Sequence, residues 1–235
     1  MRALHTLLIA SLVVAAHSAP ARANQKHHTD KDQAQLIVKA QQVLTEAVTA
    51  PDQGIPKDLL AKAECVGVFP GLKKGAFVVG GEYGHGVFTC RENNGMMGAP
   101  AFFTLGSGSV GWQFGGESAD VVLLIMNPTG VQHLLEDKFS IGGEASVAAG
   151  PVGRTATAAT DAQLHAQILS WSRTRGAFLG ASIEGSVIKP DKSANEHFYG
   201  KSVTAQNLLV DHSVQVPASA RTFVDKANDY SRRSS

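Results

Sequence analysis

The sequence predicts an α+β fold: a curved antiparallel β-sheet, barrel-like in its fullest form, flanked by helices within a single domain. Three observations carry this. An apolar residue runs into Gly-Gly-Glu at Val79–Glu82, Phe114–Glu117 and Ile141–Glu144, with a looser echo at Leu179-Gly180-Ala181 and Ile183-Glu184-Gly185. Paired glycines weaken a strand and are tolerated where it bulges, bends or lets another backbone come close. Short apolar runs separated by Gly, Asn and Pro dominate the middle of the chain, whereas helical periodicity concentrates toward its ends.

The first residues have the form of a secretory signal. Arg2 is a basic start, Leu7 to Ala16 is mostly apolar, and Ala21-Arg22-Ala23 fits a small-x-small cleavage site. Cleavage is expected before Asn24, giving a signal peptide over 1–23, a disordered polar stretch over 24–29 and one domain over 30–235. No cysteine near that site offers a lipoprotein anchor, so the expected location is periplasmic or secreted. Without Arg2 and Arg22 the chain has 19 basic and 20 acidic side chains, a net charge of −1. That balance argues against a nucleic-acid partner, which needs a clustered basic footprint.

From Asp30 a helix is predicted, with Leu36, Ile37, Ala40, Val43, Leu44, Ala47 and Val48 on one face, a cap at Thr29 or Asp30, and Pro51 at its end. Its opposite face (Lys39, Gln41, Gln42, Glu46) is polar but hardly basic. This favours packing on its own domain over lying on a membrane. A short helix follows over Ile55 to Ala63, with Pro56 in its first turn. Strands are predicted over Val66 to Phe69, Ala76 to Tyr83, Gly86 to Cys90, Ala101 to Leu105, Val110 to Phe114 and Asp120 to Met126. Glu92-Asn93-Asn94-Gly95 is a turn.

Asn127-Pro128 opens a helix through Leu135, and strand returns over Ser140 to Ala149. Asp161 to Trp171 is predicted as a helix with Leu164, Ile168 and Trp171 on one face. Ala177 to Ile188 is predicted as strand, Lys189 to Tyr199 as a polar loop, and Ala218 to Tyr230 as the last helix.

Cys65 and Cys90 are the only cysteines. Export would place them in an oxidising compartment and make them a disulfide candidate, the alternative being two buried thiols.

Most catalytic and cofactor motifs fail on context. Gly106-Ser107-Gly108-Ser109-Val110-Gly111 matches a dinucleotide fingerprint, but it runs into strand-like sequence instead of a helix. The histidines, including the terminal His27-His28, lack metal-ligand spacing, and no serine-hydrolase elbow is present. No cofactor and no metal are expected. Glu82, Glu117 and Glu144 could serve a glycan hydrolase if two of them converged. The competing reading pairs such glutamates with Arg91 or Arg154.

A second echo bears on binding. Lys73-Lys74-Gly75-Ala76-Phe77 and Arg173-Thr174-Arg175-Gly176-Ala177-Phe178 each place two basic residues before Gly-Ala-Phe, at what the sequence presents as a strand entry. Such tips suit an anionic headgroup or phosphate; the plainer reading is a pair of solvated turns.

Taken in order, these segments resemble the SYLF family, also called the Ysc84 actin-binding domain family. The resemblance runs from Ile55-Pro56 through Lys73-Lys74-Gly75, Val79-Gly80-Gly81, Ala99-Pro100-Ala101-Phe102, Gly111 to Gly115 and Asp120 to Leu123. Its most specific stretches are Ala149-Gly150-Pro151-Val152-Gly153-Arg154 and Ser172 to Phe178, and Tyr199-Gly200 closes it. Met97-Gly98 stands where many members have tryptophan-serine, and Trp171 where a tyrosine is common.

The resemblance implies a lipid-binding, non-enzymatic domain. Eukaryotic relatives bind phosphoinositides and fungal ones actin, often with an attached SH3 or FYVE module, none of which is expected among these residues. For an exported chain the implied partner is membrane lipid or an anionic amphiphile, held by Lys73, Lys74, Arg173 and Arg175 with Phe77 and Phe178. An envelope protein partner is the alternative.

Overall fold

The computed structural model describes residues 22–51, 54–75, 81–107, 118–153 and 165–232. Its centre is one sheet. Strands β1 (Cys65–Gly75), β2 (Gly81–Cys90), β3 (Ala101–Ser107) and β4 (Ala119–Ile125) are followed by two short ones, β5 (Phe139–Ser140) and β6 (Val147–Ala149). Then come β7 (Ile168–Arg173), β8 (Leu179–Gly180) and β9 (Ser186–Pro190). The spatial order is β5-β9-β3-β2-β1-β4-β7-β6, with β8 paired to β7. All pairs are antiparallel except β6 with β7. The sheet curls into a half-barrel flanked by helices, in accord with the α+β reading.

Side-chain alternation sends consecutive strand residues to opposite faces, and both faces are covered. Val66, Val68, Val87, Phe102, Val122, Leu124 and Trp171 pack on one side against Ile37, Leu44, Leu60 and Phe223. On the other side, Phe69, Phe88, Phe103, Val121, Leu123 and Ile168 meet Leu134, Phe139, Ile183 and Leu208. Doubly covered strands explain why β4 reads as an unbroken apolar run.

The first face is covered by α1 (Arg22–Thr49), α2 (Lys57–Lys62) and α6 (Arg221–Ser231); between α1 and α6 lie α3 (Pro128–Leu135), α4 (Lys192–Tyr199) and α5 (Ala205–Leu209). The buried positions of α1, from Ile37 through Val48, are those that its periodicity marks. Asn127 caps α3, its side chain accepting from the Gly130 amide.

Several expectations are corrected. Trp171 lies in β7, where alternation and burial on both faces override the helical spacing of Leu164, Ile168 and Trp171. Lys192–Tyr199 is helical because Asp191 caps its first turn and Gly200 ends it at φ 66°. The span from Ala177 to Ile188 is two short strands separated by a turn at Glu184-Gly185.

The Gly-Gly-Glu passages prove unlike one another. Gly81-Glu82 opens β2, whereas Gly142-Gly143-Glu144 is a tight turn with Gly142 at φ 86°, where a side chain would be strained. The Phe114 passage, the strand predicted over Val110 to Phe114, and residues 1–21 of the signal lie outside the described residues.

Cys65 and Cys90 face each other across β1 and β2 and form a disulfide.

Candidate functional site

Lys73 and Lys74 close β1, where they pair with Tyr83 and Glu82 of β2. Arg173 closes β7, opposite Asp120 of β4. Because β1 and β7 flank β4 antiparallel, with Leu72 opposite Ala119, both basic ends arrive at the same rim of the sheet. Two strand spacings separate them, roughly 10 Å. The tips lie at the ends of β1 and β7, and the second leads on into β8. The sheet brings together two segments that lie a hundred residues apart in sequence.

The expected headgroup set divides at this rim. The Arg173 guanidinium bridges Asp120 at 2.8 Å and Glu46 of α1 at 2.5 Å. It also lies 4.6 Å from the centre of the Phe178 ring. Burial works against its charge, but hydrogen bonds to Asp120 and Glu46 outweigh that and hold its pKa above the ordinary value. Phe178 is 1% exposed, a core residue beneath that guanidinium and no surface contact for a lipid. Arg175 is exposed on the turn before Gly176, and Phe77 lies outside the described residues.

Of the three Gly-Gly-Glu carboxylates, only the Glu144 side chain is described. Glu144 is exposed and accepts from the Ser140 amide within its own turn. Glu117 and Arg154 lie outside the described residues. Arg91 directs its guanidinium to the carbonyls of Leu60, Ala61 and Ala63 at the end of α2. It thereby satisfies carbonyls that a helix C-terminus leaves open. Among the described residues no group of three or more histidine, cysteine or acidic side chains could hold a metal ion.

Beside the rim is a cleft of about 700 Å³ that sequence reasoning did not find. One wall is the α1 face carrying Asp32, Gln33, Leu36 and Lys39; Tyr83, His85, Phe102 and Asp191 face it. Tyr83 is half exposed and edge-on to the His85 ring at 5.2 Å. The Asp191 carboxylate contacts His85 Nδ1 at 3.2 Å and accepts from the Ala194 amide at 3.0 Å. The bond to His85, helped by that amide, holds its pKa below the usual carboxylate value despite burial. Burial and the field of Asp191 raise the Tyr83 phenol.

The arrangement suits binding. It offers a neutral phenol, an anionic carboxylate and apolar patches, beside a basic rim. No motif spacing in the sequence points to it.

A family model described as "Las17-binding protein actin regulator" matches residues 106–230, which include β4, β7 and the segment that carries Arg173 and Asp191. The chain belongs to the Ysc84 family. It is 35% identical over 165 residues to "LAS seventeen-binding protein 3" of Saccharomyces cerevisiae, covering 69% of this chain and 36% of that protein. "Protein YSC84" of the same yeast is 33% identical over 176 residues, covering 74% of this chain and 37% of the relative. "SH3 domain-containing YSC84-like protein 1" of Rattus norvegicus is 28% identical over 206 residues, 86% of this chain and 60% of the relative. This Ysc84-family chain thus spans between about a third and three fifths of the length of these relatives.

Proposed function

We propose that this Ysc84-family chain is an exported, non-enzymatic protein that binds membrane lipid or an anionic amphiphile at a periplasmic membrane face. The observation that carries the proposal is the meeting of the Lys73-Lys74 and Arg173-Thr174-Arg175 segments at one rim of the sheet. Lys73, Lys74 and Arg175 supply the headgroup contacts, and Arg173 braces the rim through its two carboxylates. An excess of basic residues attracts an anionic surface, and the attraction is screened by salt. The signal-like first residues and the disulfide both support export, since disulfides persist in oxidising compartments.

Flotation of the mature chain with anionic and with neutral vesicles, at low and high salt, tests this reading. Anionic vesicles should carry the protein at low salt, and Lys73→Gln with Lys74→Gln should abolish most of that binding. No flotation with either vesicle would sink the proposal. Sequencing the N-terminus of the exported protein should begin at Asn24.

A second reading has its own support: the matching family model is described by binding to Las17 and regulation of actin, and one relative is named for binding LAS seventeen. On that reading the same rim holds a protein of the envelope. Capture of one stoichiometric protein with no co-purifying lipid would favour it over the lipid.

A further inference from the structure

The cleft beside Tyr83 contains a group that the basic rim does not use. Gln33 is 7% exposed, and its Oε1 is buried with no hydrogen-bond partner. A buried acceptor left unpaired works against the fold, and native structures keep few of them. Gln33 sits on the cleft wall, so rotation of its side-chain amide can present Oε1 to a donor in the cleft.

The surroundings specify what kind of donor. Asp32 adjoins Gln33 on α1, and Asp191 stands across the cleft with its carboxylate already oriented by His85 and the Ala194 amide. Tyr83 is 49% exposed, and an aromatic face attracts a cation. Leu36 and Phe102 add apolar wall. Two turns along α1 from Asp32, roughly 10 Å by helical rise, Lys39 provides the one lysine of the lining.

We propose that this cleft binds a primary ammonium group whose N–H bonds reach Gln33 Oε1 and the Asp191 carboxylate, with an anionic end of the same small molecule directed to Lys39. A quaternary ammonium has the charge but no N–H to give, so it leaves Gln33 unpaired and binds more weakly. The inference does not rest on lipid binding at the rim, where lysines and an arginine select negative charge. Phosphoethanolamine carries the required chemistry, either free or as a lipid headgroup.

Calorimetric titration of the mature chain with O-phosphoethanolamine, and in parallel with phosphocholine, tests the cleft. Phosphoethanolamine should bind saturably and about tenfold more tightly, the ratio that one good hydrogen bond supplies. Gln33→Leu should weaken phosphoethanolamine at least ~5-fold while leaving phosphocholine unchanged and the melting temperature equal or higher. Tyr83→Ala, on an exposed side chain, should weaken both.

Flotation on phosphatidylethanolamine against phosphatidylcholine vesicles then separates the sources. Preference for the former identifies a lipid headgroup, and binding of the free molecule alone identifies a soluble ligand. Equal affinity for the two headgroups, no saturable binding, or an unaltered Gln33→Leu protein would overturn the proposal. Loss of anionic-vesicle binding in the Lys73 and Lys74 variants bears only on the rim.

Discussion

The indole of Trp171 occupies the space that a side chain at position 150 would need. A Cβ on Gly150 would lie 2.0 Å from both Cε2 and Cζ2 of that ring. Trp171 is wholly buried, its Nε1 donates to the Pro151 carbonyl at 3.0 Å, and the Gly150 amide donates to Ser170 at 2.9 Å. Neither partner is free to withdraw. Gly150→Ala should therefore lower stability by about 2–3 kcal/mol through overpacking, read as a lower urea midpoint. An unchanged midpoint would show that the segment shifts to make room.

The bridge between Cys65 and Cys90 closes a loop with a sequence separation of 25. In the chain-entropy model such a loop contributes about 3–4 kcal/mol. Urea unfolding with and without reductant should differ by that amount. A difference near zero would mean that the sheet pairing alone holds these two strands.

Arg173 links β7 to β4 and α1, while Asp120, its partner, also accepts from the Gly71 amide at the β1 bulge at 2.9 Å. Arg173→Gln should lower stability by about 1–2 kcal/mol, since the side chain is only 20% exposed and its charge is engaged. Vesicle binding should fall less than with Lys73→Gln and Lys74→Gln together. An Arg173→Gln protein of native stability that no longer floats would return Arg173 to the headgroup set.

Asp191 titrates below its ordinary value of 3.8 in the fold, chiefly through the bond to His85. A carboxyl lowered by folding contributes stability that is complete above its unfolded value and is lost as pH falls through its folded one. Acid unfolding should accordingly be less steep below about pH 4 in Asp191→Asn than in the parent. Identical acid profiles would remove this carboxylate from the pH dependence.

Tyr199 behaves oppositely. Burial raises its phenol well above the ordinary 10.0, and its hydroxyl donates to the Pro100 carbonyl at 2.5 Å. An acid group raised by folding contributes stability that is complete below its unfolded value and declines as pH rises toward its folded one. Above pH 10 the parent should lose stability more steeply than Tyr199→Phe, which at neutral pH should be about 1 kcal/mol less stable. Parallel alkaline profiles would sink the assignment.

Much of the frame was legible from periodicity. The buried face of α1, the apolar run of β4 and the capped start of α3 all follow from local pattern. The errors have physical causes. Ile168 and Trp171 satisfy both a helical and a doubly buried strand pattern, and only the neighbouring strands resolve the choice. Lys192–Tyr199 looked like a loop because its polarity hid a capped helix. Phe178 looked like a surface anchor because position after a basic turn says nothing of which way a ring points; the core takes it.

The sequence by itself determined the α+β class, the buried face of α1, the apolar run of β4 and the two basic Gly-Ala-Phe segments, because these depend on spacing within short stretches; it left Cys65 and Cys90 as a candidate pair that the structure joins. The tertiary structure alone decided that those segments share a rim, that Arg173 is held by Asp120 and Glu46, and that Gln33, Tyr83 and Asp191 line one cleft. Periodicity records that a side chain is covered, not by what. The partners come from strand pairing and helix docking between residues that are far apart along the chain.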